Sequence, residues 1–425
     1  MAEAAPGERR SRFPLYLQII AAIAVGLVVG SLLGEQAQGL GEIGRLVIQL
    51  IKAAATPLLF LAIVHAILKT EIRGRSAVRL IFWAMLNASI ALTIGLLISN
   101  LLEPGRSLAD VARLDPAAAA AYADKQIDLL ATISTFVPAS LVTPFAENLV
   151  LSIILIAVLL GFGLRRVRGE QVAAGTSSFR PVEEAVETLL RVMEIVLGWV
   201  IMLIPFAVFG VVAKSVGEHG WAPLKGLAVY VLVGVGGLVI HIALTYQVWL
   251  VLFTRLPLRR FWREAREPVV TAWGVNSSLA TLPVTLRALD RLKVSRSSSA
   301  LGACVGTNFN NDGIILYEGM AVLFVAQASG IDLTLGQQLV AAAACMVAAM
   351  GVAGVPEAGF VSLALVLNTV GLPIEILTLL LTVDWIIARG RSVANVLSDM
   401  MLSILIDRSG EAEPEQLDPK LAPDG

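Results

Sequence analysis

Charge is scarce in this chain. Acidic and basic residues together make up 15% of its 425 positions and nearly cancel, leaving a net charge of −1. No basic block argues for a nucleic-acid partner, and the near-neutral balance implies nothing else about partners. Cysteine is scarcer still: Cys304 and Cys345 both lie in apolar runs, so no disulfide framework is expected. The first apolar run has no convincing small-residue cleavage site and is long enough to span, so it reads as a retained helix, not a signal peptide. What fills the sequence instead is apolar: 57% of residues, at a mean hydropathy of +0.80. That is the composition of a polytopic, all-α membrane protein bathed in lipid.

Six apolar runs come first, at about 13–33, 43–68, 77–102, 139–164, 189–212 and 227–253, with Pro57 inside the second and Pro205 breaking the fifth. Each is long enough to cross a bilayer as a helix. Arg9, Arg10 and Arg12 precede the first; Lys69, Arg73, Arg75 and Arg79 follow the second. Arg165, Arg166 and Arg168 end the fourth, and Arg255, Arg259, Arg260, Arg263 and Arg266 follow the sixth. Cytoplasmic loops carry the excess of Lys and Arg. With the N-terminus inside, every short basic connection is cytoplasmic, and the long stretch 103–137, with Asp110, Asp115, Asp124 and Asp128, lies outside.

The pattern then changes. The stretch 269–289 is only mildly apolar, carries Asn276, Ser277, Ser278, Thr281 and Pro283, and has basic residues on both sides. A helical hairpin that enters and turns back satisfies both flanks; a full span would put Arg287, Arg291, Lys293 and Arg296 outside, against the charge rule. An apolar run at about 300–328 follows, holding Asn308, Asn310, Asn311, Asp312, Gly313 and Glu318. A carboxylate in mid-membrane costs at least ~2.5 kcal/mol, so such a cluster needs a reason. Gly313 is expected to loosen the helix there and free carbonyls towards a cavity. Amides, carboxylates and carbonyls are oxygen ligands suited to a hard cation such as sodium. The other reading is interhelical hydrogen bonding, at ~0.6–2 kcal/mol per bond.

The same grammar repeats: 335–372 has two apolar arms around Gly351-Val-Ala-Gly-Val-Pro-Glu-Ala-Gly359, and the last run, about 375–406, carries Asp384, Arg389, Arg391, Asn395 and Asp399. Two broken hairpins, each followed by a polar helix and entered from opposite sides, form the inverted pair seen in transporters. The tails, 1–12 and 409–425, are polar and expected to be cytoplasmic.

Four motifs, in order, carry a resemblance: NSSLATLP at 276–283, NNDG at 310–313, GVAGVPEAG at 351–359 and RSVANVLSD at 391–399. LIKAAATPLLF at 50–60 and IPFAVF at 204–209 support them. Together they resemble the dicarboxylate/amino acid:cation symporters, the glutamate transporter family, over nearly all of 13–406. That resemblance implies eight transmembrane helices plus two re-entrant hairpins, arranged as an elevator-type homotrimer in a bacterial-type inner (plasma) membrane. Segments 13–76 and 139–220 would be scaffold, while 77–138 and 221–408 would move. The second hairpin, with Gly351, Gly354 and Gly359, would be the outer gate.

The resemblance also implies site residues. Arg391 would take the substrate's distal carboxylate, a role its planar fork suits, with pairing to Asp384 or Glu357 as the structural alternative. Asn395 would hold the other carboxylate, and Ser277, Ser278, Val355 and Gly359 would close over the ligand from the hairpins. Asp399 with carbonyls of Gly306, Asn310 and Asn395 matches one family sodium site; carbonyls of Asn308, Ala349, Met350 and Val352 match a second. Asp312 belongs to a third, whose hydroxyl-bearing partners on the third span read Ala84, Asn87 and Ala88 here. Glu318 falls where animal glutamate importers place a proton-carrying glutamate, or it is a satisfied helix-end residue.

Three departures bear on the substrate. Ala388 replaces the aspartate that receives an ammonium group, Ile314 replaces a threonine, and Glu357 replaces a hairpin glycine. An ammonium without a counter-charge in a dry site is expensive, so the expected substrate is a C4-dicarboxylate. The alternative is an acidic amino acid whose ammonium is met by Glu357. Two other classes stand beside symport. An intramembrane hydrolase would need Asp312 and Asp399 converging on one water, although each sits among amides. A passive anion channel would ignore sodium and proton gradients.

Overall fold

The computed structural model describes residues 15–69, 75–108, 137–147, 149–176, 179–308, 310–350, 358–374 and 376–409. Within them every regular element is a helix. Helices α1 (Leu15–Leu33), α2 (Gly41–Lys69) and α3 (Arg75–Leu102) follow the first three apolar runs closely, α1 and α2 being joined by a 3-10 turn, Gly34–Leu40.

The fourth run is displaced. Its long helix, α4, is Val150–Ala173, starting eleven residues beyond the expected 139. Pro138 disfavours helix at Val137, and Pro144 sits in the first turn of a separate short helix, Thr143–Glu147, that precedes α4 among the described residues. At the other end α4 runs past Arg165, Arg166 and Arg168, which are helical instead of lying in a loop. Arg168 pairs with Glu183 at 3.2 Å and donates to Leu68 O at 3.0 Å, while Lys69 meets Glu187 at 2.9 Å. The basic ends of α2 and α4 are thereby tied to acidic residues of α5 (Arg180–Ile201). The fifth run divides at 202–203 into α5 and α6 (Ile204–His219), with Pro205 in the first turn of α6, where its missing N–H leaves no gap. Helix α7, Ala222–His241, continues through π-helical turns at Ile242–Tyr246 and Leu250–Thr254.

Helices α8 (Leu258–Val275) and α9 (Ser278–Arg291) fold back on one another at Asn276 and Ser277. Asn276 takes the left-handed conformation, φ 51°, and the Ser277 hydroxyl caps α9 by accepting from Ala280 N at 3.1 Å. Across the arms Arg291 meets Glu264 at 2.8 Å and Glu267 at 3.1 Å, and Arg287 meets Glu267 at 3.5 Å. These pairs bracket the turn symmetrically, as antiparallel arms require. Arg263 and Arg291 donate to Glu264 and hold its carboxyl below the usual range.

The next run is not one continuous helix. α10 (Arg296–Ser299) passes through a π turn, Ala300–Val305, and a 3-10 turn, Gly306–Asn308, and a regular helix resumes only as α11, Asp312–Ala328. Helices α12 (Leu335–Met350) and α13 (Ala358–Val370) pack on each other, and the tip between them, 351–357, lies outside the described residues. The last helix is α14, Leu377–Ser409.

Helix α11 is the axis of the site: every residue but Gln327 is buried, against α3, α14 and both arms α12 and α13. A Cβ at Gly95 would stand 2.5 Å from Leu316 O, so α3 lies against the α11 backbone. Elsewhere α1 runs along α6, and α2 packs on α4, α5 and α6. Val28, Leu32, Leu101, Leu232 and Leu252 remain exposed, apolar surface of a kind that lipid covers.

Candidate functional site

The α8–α9 turn and the gap before α11 meet at the middle of α14, and the end of α12 joins them through Asn311. From the α8–α9 turn, Asn276 Oδ1 accepts from Ser392 Oγ at 2.9 Å, and Ser278 Oγ accepts from Thr307 Oγ1 at 3.2 Å. From the gap before α11, Asn311 Oδ1 accepts from Asn395 Nδ2 at 3.2 Å, and Asn395 Oδ1 accepts from Gly313 N at 2.8 Å. The last bond satisfies one of the N–H groups that a helix N-terminus leaves without an intrahelical partner. From α12, Ala349 O accepts from Asn311 Nδ2 at 2.8 Å. Asn310 Nδ2 donates to Ser398 Oγ at 2.7 Å and to Asp399 Oδ1 at 3.4 Å.

Gly313 acts differently from the sequence expectation. It sits inside the first turn of α11, and the interruption precedes it. A Cβ there would lie 2.5 Å from Arg391 O and 2.8 Å from Arg391 Cα. The glycine therefore lets α11 touch the α14 backbone, and does not loosen the helix. Gly359 is similar: a Cβ would stand 3.2 Å from the Arg391 guanidinium carbon.

Arg391 is not an open fork. Its Nη1 and Nη2 donate to the Asp384 carboxylate at 2.8 and 2.9 Å, and its guanidinium carbon lies 4.0 Å from the Tyr317 ring centroid. Asp384 and Arg391, seven residues apart, fall on one face of α14 two turns apart. A guanidinium that cannot shed its proton has to be paired when buried. Of the two partners foreseen, Asp384 is the one found; Glu357, with Val352 and Val355, lies outside the described residues. Ala388 is buried on the same helix, between these two charges in sequence.

Glu318 is fully buried; its Oε1 accepts from the Ser362 hydroxyl, and its Oε2 has no hydrogen-bond partner among the described residues. Asp312 Oδ2 accepts from Ser398 Oγ at 2.6 Å and lies 3.2 Å from both His241 Nε2 and Tyr246 OH. Sequence reasoning missed His241, Tyr246 and Ser398. The first two stand five residues apart, a spacing that shares a face in a π turn but not in an α-helix. Only the presence of histidine in an apolar run could have signalled them.

Among families of known proteins, residues 15–409 match the sodium:dicarboxylate symporter family. The chain belongs to that family. It is thus a member of a transporter family, and its apolar helices agree with an integral membrane protein.

Sodium is the cation that a sodium:dicarboxylate symporter implies, and the residues around Asp399 fit it. Asn310 Oδ1 is buried with no hydrogen-bond partner among the described residues, and a Cβ at Gly306 would meet Asp399 Oδ1 at 3.5 Å. No Lys or Arg among the described residues pairs with Asp399, which is 2% exposed. Asn310 turns its N–H to Asp399, and its unpartnered oxygen together with that buried carboxylate supplies hard oxygens of the kind sodium takes. The second expected set is placed only in part. Ala349 O is engaged by Asn311, the side chains of Asn308 and Met350 are not described, and Val352 lies outside the described residues.

Proposed function

We propose that this chain couples inward sodium movement to uptake of a small anion, a C4-dicarboxylate before an amino acid. The observation that carries the substrate class is position 388. Between Asp384 and Arg391, α14 offers a methyl group where an ammonium would need a carboxylate, and both Asp384 oxygens already accept from Arg391. Leaving an ammonium unpaired there costs several kcal/mol, of the order of ~2–7 for an unmatched polar group, whereas a methylene needs no partner. Arg391 and Asn395 would receive the two carboxylates, with Ser277, Ser278 and Gly359 enclosing them. Because Asp384 already holds the guanidinium, the substrate would share or displace that pair.

Sodium would be held at Asp399 with oxygens of Asn310, Gly306 and Asn395, where it supplies positive charge to an otherwise uncompensated carboxylate. The close packing of α11 on α3 and α14 supports a moving unit of 77–138 and 221–408. The packing of α2 on α4, α5 and α6 supports a scaffold of 13–76 and 139–220. Eight spans, two re-entrant hairpins, a gate at 351–357, cytoplasmic termini and a homotrimer complete this elevator reading.

A proton through Glu318 is the second cation to consider, favoured by its unpartnered Oε2 in a fully buried site. Glu318→Gln is expected to remove any pH-gradient drive while sodium drive survives; an unchanged response to pH retires the proton. The substrate reading is tested by competition in proteoliposomes. Unlabelled succinate is expected to inhibit labelled uptake at lower concentration than L-aspartate. The reverse order, abolished by Glu357→Gln, would instead establish an amino acid carrier with its counter-charge on the hairpin.

A further inference from the structure

Asp312 is the carboxylate that the family resemblance gives to a third cation, and its surroundings do not fit one. Its Oδ2 is already committed to Ser398, His241 and Tyr246. Apart from Asn310, whose oxygen is assigned above to the Asp399 set, the neighbours that could offer an oxygen have hydrogen bonds of their own or bring none. Tyr246 OH has a single proton to share between Asp312 Oδ2 and Ala394 O, 3.1 Å away. Ser398 Oγ accepts from Asn310 Nδ2 at 2.7 Å, with Asn87 Nδ2 a further 3.4 Å contact. Asn87 Oδ1 is taken by Trp249 Nε1 at 2.7 Å, which turns the amide so that its N–H, not its oxygen, faces Ser398. Ala84 and Ala88, both buried, bring no side-chain oxygen. Among the described side chains that leaves two oxygens without a partner, Asp312 Oδ1 and the Asn310 Oδ1 already assigned to the Asp399 set, and two fall short of the about six that a hard cation takes.

The backbone explains why the donors arrive together. The π turn Ile242–Tyr246 brings His241 and Tyr246 onto one face of α7, directed at Asp312. Thr245 Oγ1, 3.1 Å from His241 Nδ1, fixes the ring so that Nε2 points at the carboxylate. Single π turns of this sort occur often at functional positions.

We propose that His241 and Tyr246 take the place of the third cation, holding Asp312 by hydrogen bonds so that coupling does not pass through it. His241 is thus a positioning residue. The proposal rests on the symport reading above and goes beyond it by fixing which carboxylate is left out of coupling.

The test measures coupling, not rate. In voltage-clamped proteoliposomes, the succinate gradient that gives zero net flux against each imposed sodium gradient yields the sodium-to-substrate ratio. Asp312→Asn, whatever its rate, is expected to keep the wild-type ratio; a ratio lower by one overturns the proposal. A wild-type ratio of zero overturns the symport reading itself, and this inference with it. A second measurement holds if Asp312→Asn does not assemble. Substrate-free His241→Leu is expected to melt below wild type in choline and to regain part of the loss in sodium, as the bared carboxylate recruits a cation. His241→Gln, which keeps a donor, is expected to behave as wild type in both salts. Melting of His241→Leu that matches wild type in both salts overturns the proposal.

Discussion

Replacing Arg391 with methionine removes one half of a pair that is only 3% and 2% exposed and joined by hydrogen bonds of 2.8 and 2.9 Å. Asp384 is then left buried without its cation, and breaking such a pair from one side typically costs ~3–5 kcal/mol. Arg391→Met is therefore expected both to lose uptake and to lower the melting temperature, a stability penalty that the sequence alone did not foretell. Replacing both halves, as Arg391→Met with Asp384→Leu, removes the stranded charge and restores apolar packing, which is often neutral or stabilising. The double variant is expected to melt well above the single one, approaching wild type, yet to remain inactive because no cation faces the substrate. The assay pairs intrinsic-fluorescence melting in detergent with labelled succinate uptake into proteoliposomes. A double variant no more stable than Arg391→Met, or substantial uptake by either, would refute the reasoning.

Asp399→Asn is expected to raise the sodium concentration needed for half-maximal uptake by at least tenfold, with little change in substrate affinity at saturating sodium; an unchanged sodium dependence removes Asp399 from the site. Gly313→Ala sets a methyl group 2.5 Å from Arg391 O and so should force α11 from α14, at the ~1–3 kcal/mol typical of overpacking, read as a lower melting temperature. Wild-type melting would mean that the close approach is not needed. Ala388→Asp is expected to shift preference from succinate towards L-aspartate in competition, and no shift would mean that the ligand lies elsewhere.

How much of this was legible beforehand depended on the kind of signal. The stretch 269–289 announced its hairpin because basic residues flank it and Asn276-Ser277-Ser278 offer turn and cap chemistry, and α8 and α9 fold back there. The start of α4 was misplaced because hydropathy counts Leu141 and Val142 as apolar without registering that Pro144 opens a separate short helix, Thr143–Glu147, ahead of it. Gly313 was read as a local breaker because its use, contact with Arg391 78 residues later, is a tertiary fact. The Asp384 pairing was open as an alternative, since a spacing of seven always places two helical residues on one face. His241 and Tyr246 escaped because a π turn has no hydrophobic period of its own.

The most direct measurement of the central claim is uphill accumulation. Proteoliposomes carrying the purified protein receive equal labelled succinate inside and outside, with sodium imposed only outside and voltage and pH clamped. The account predicts that internal succinate rises several-fold above external, collapses when a sodium ionophore is added, and does not occur with Asp399→Asn. Succinate that merely stays equilibrated, at the same exchange rate with and without the sodium gradient, would contradict it.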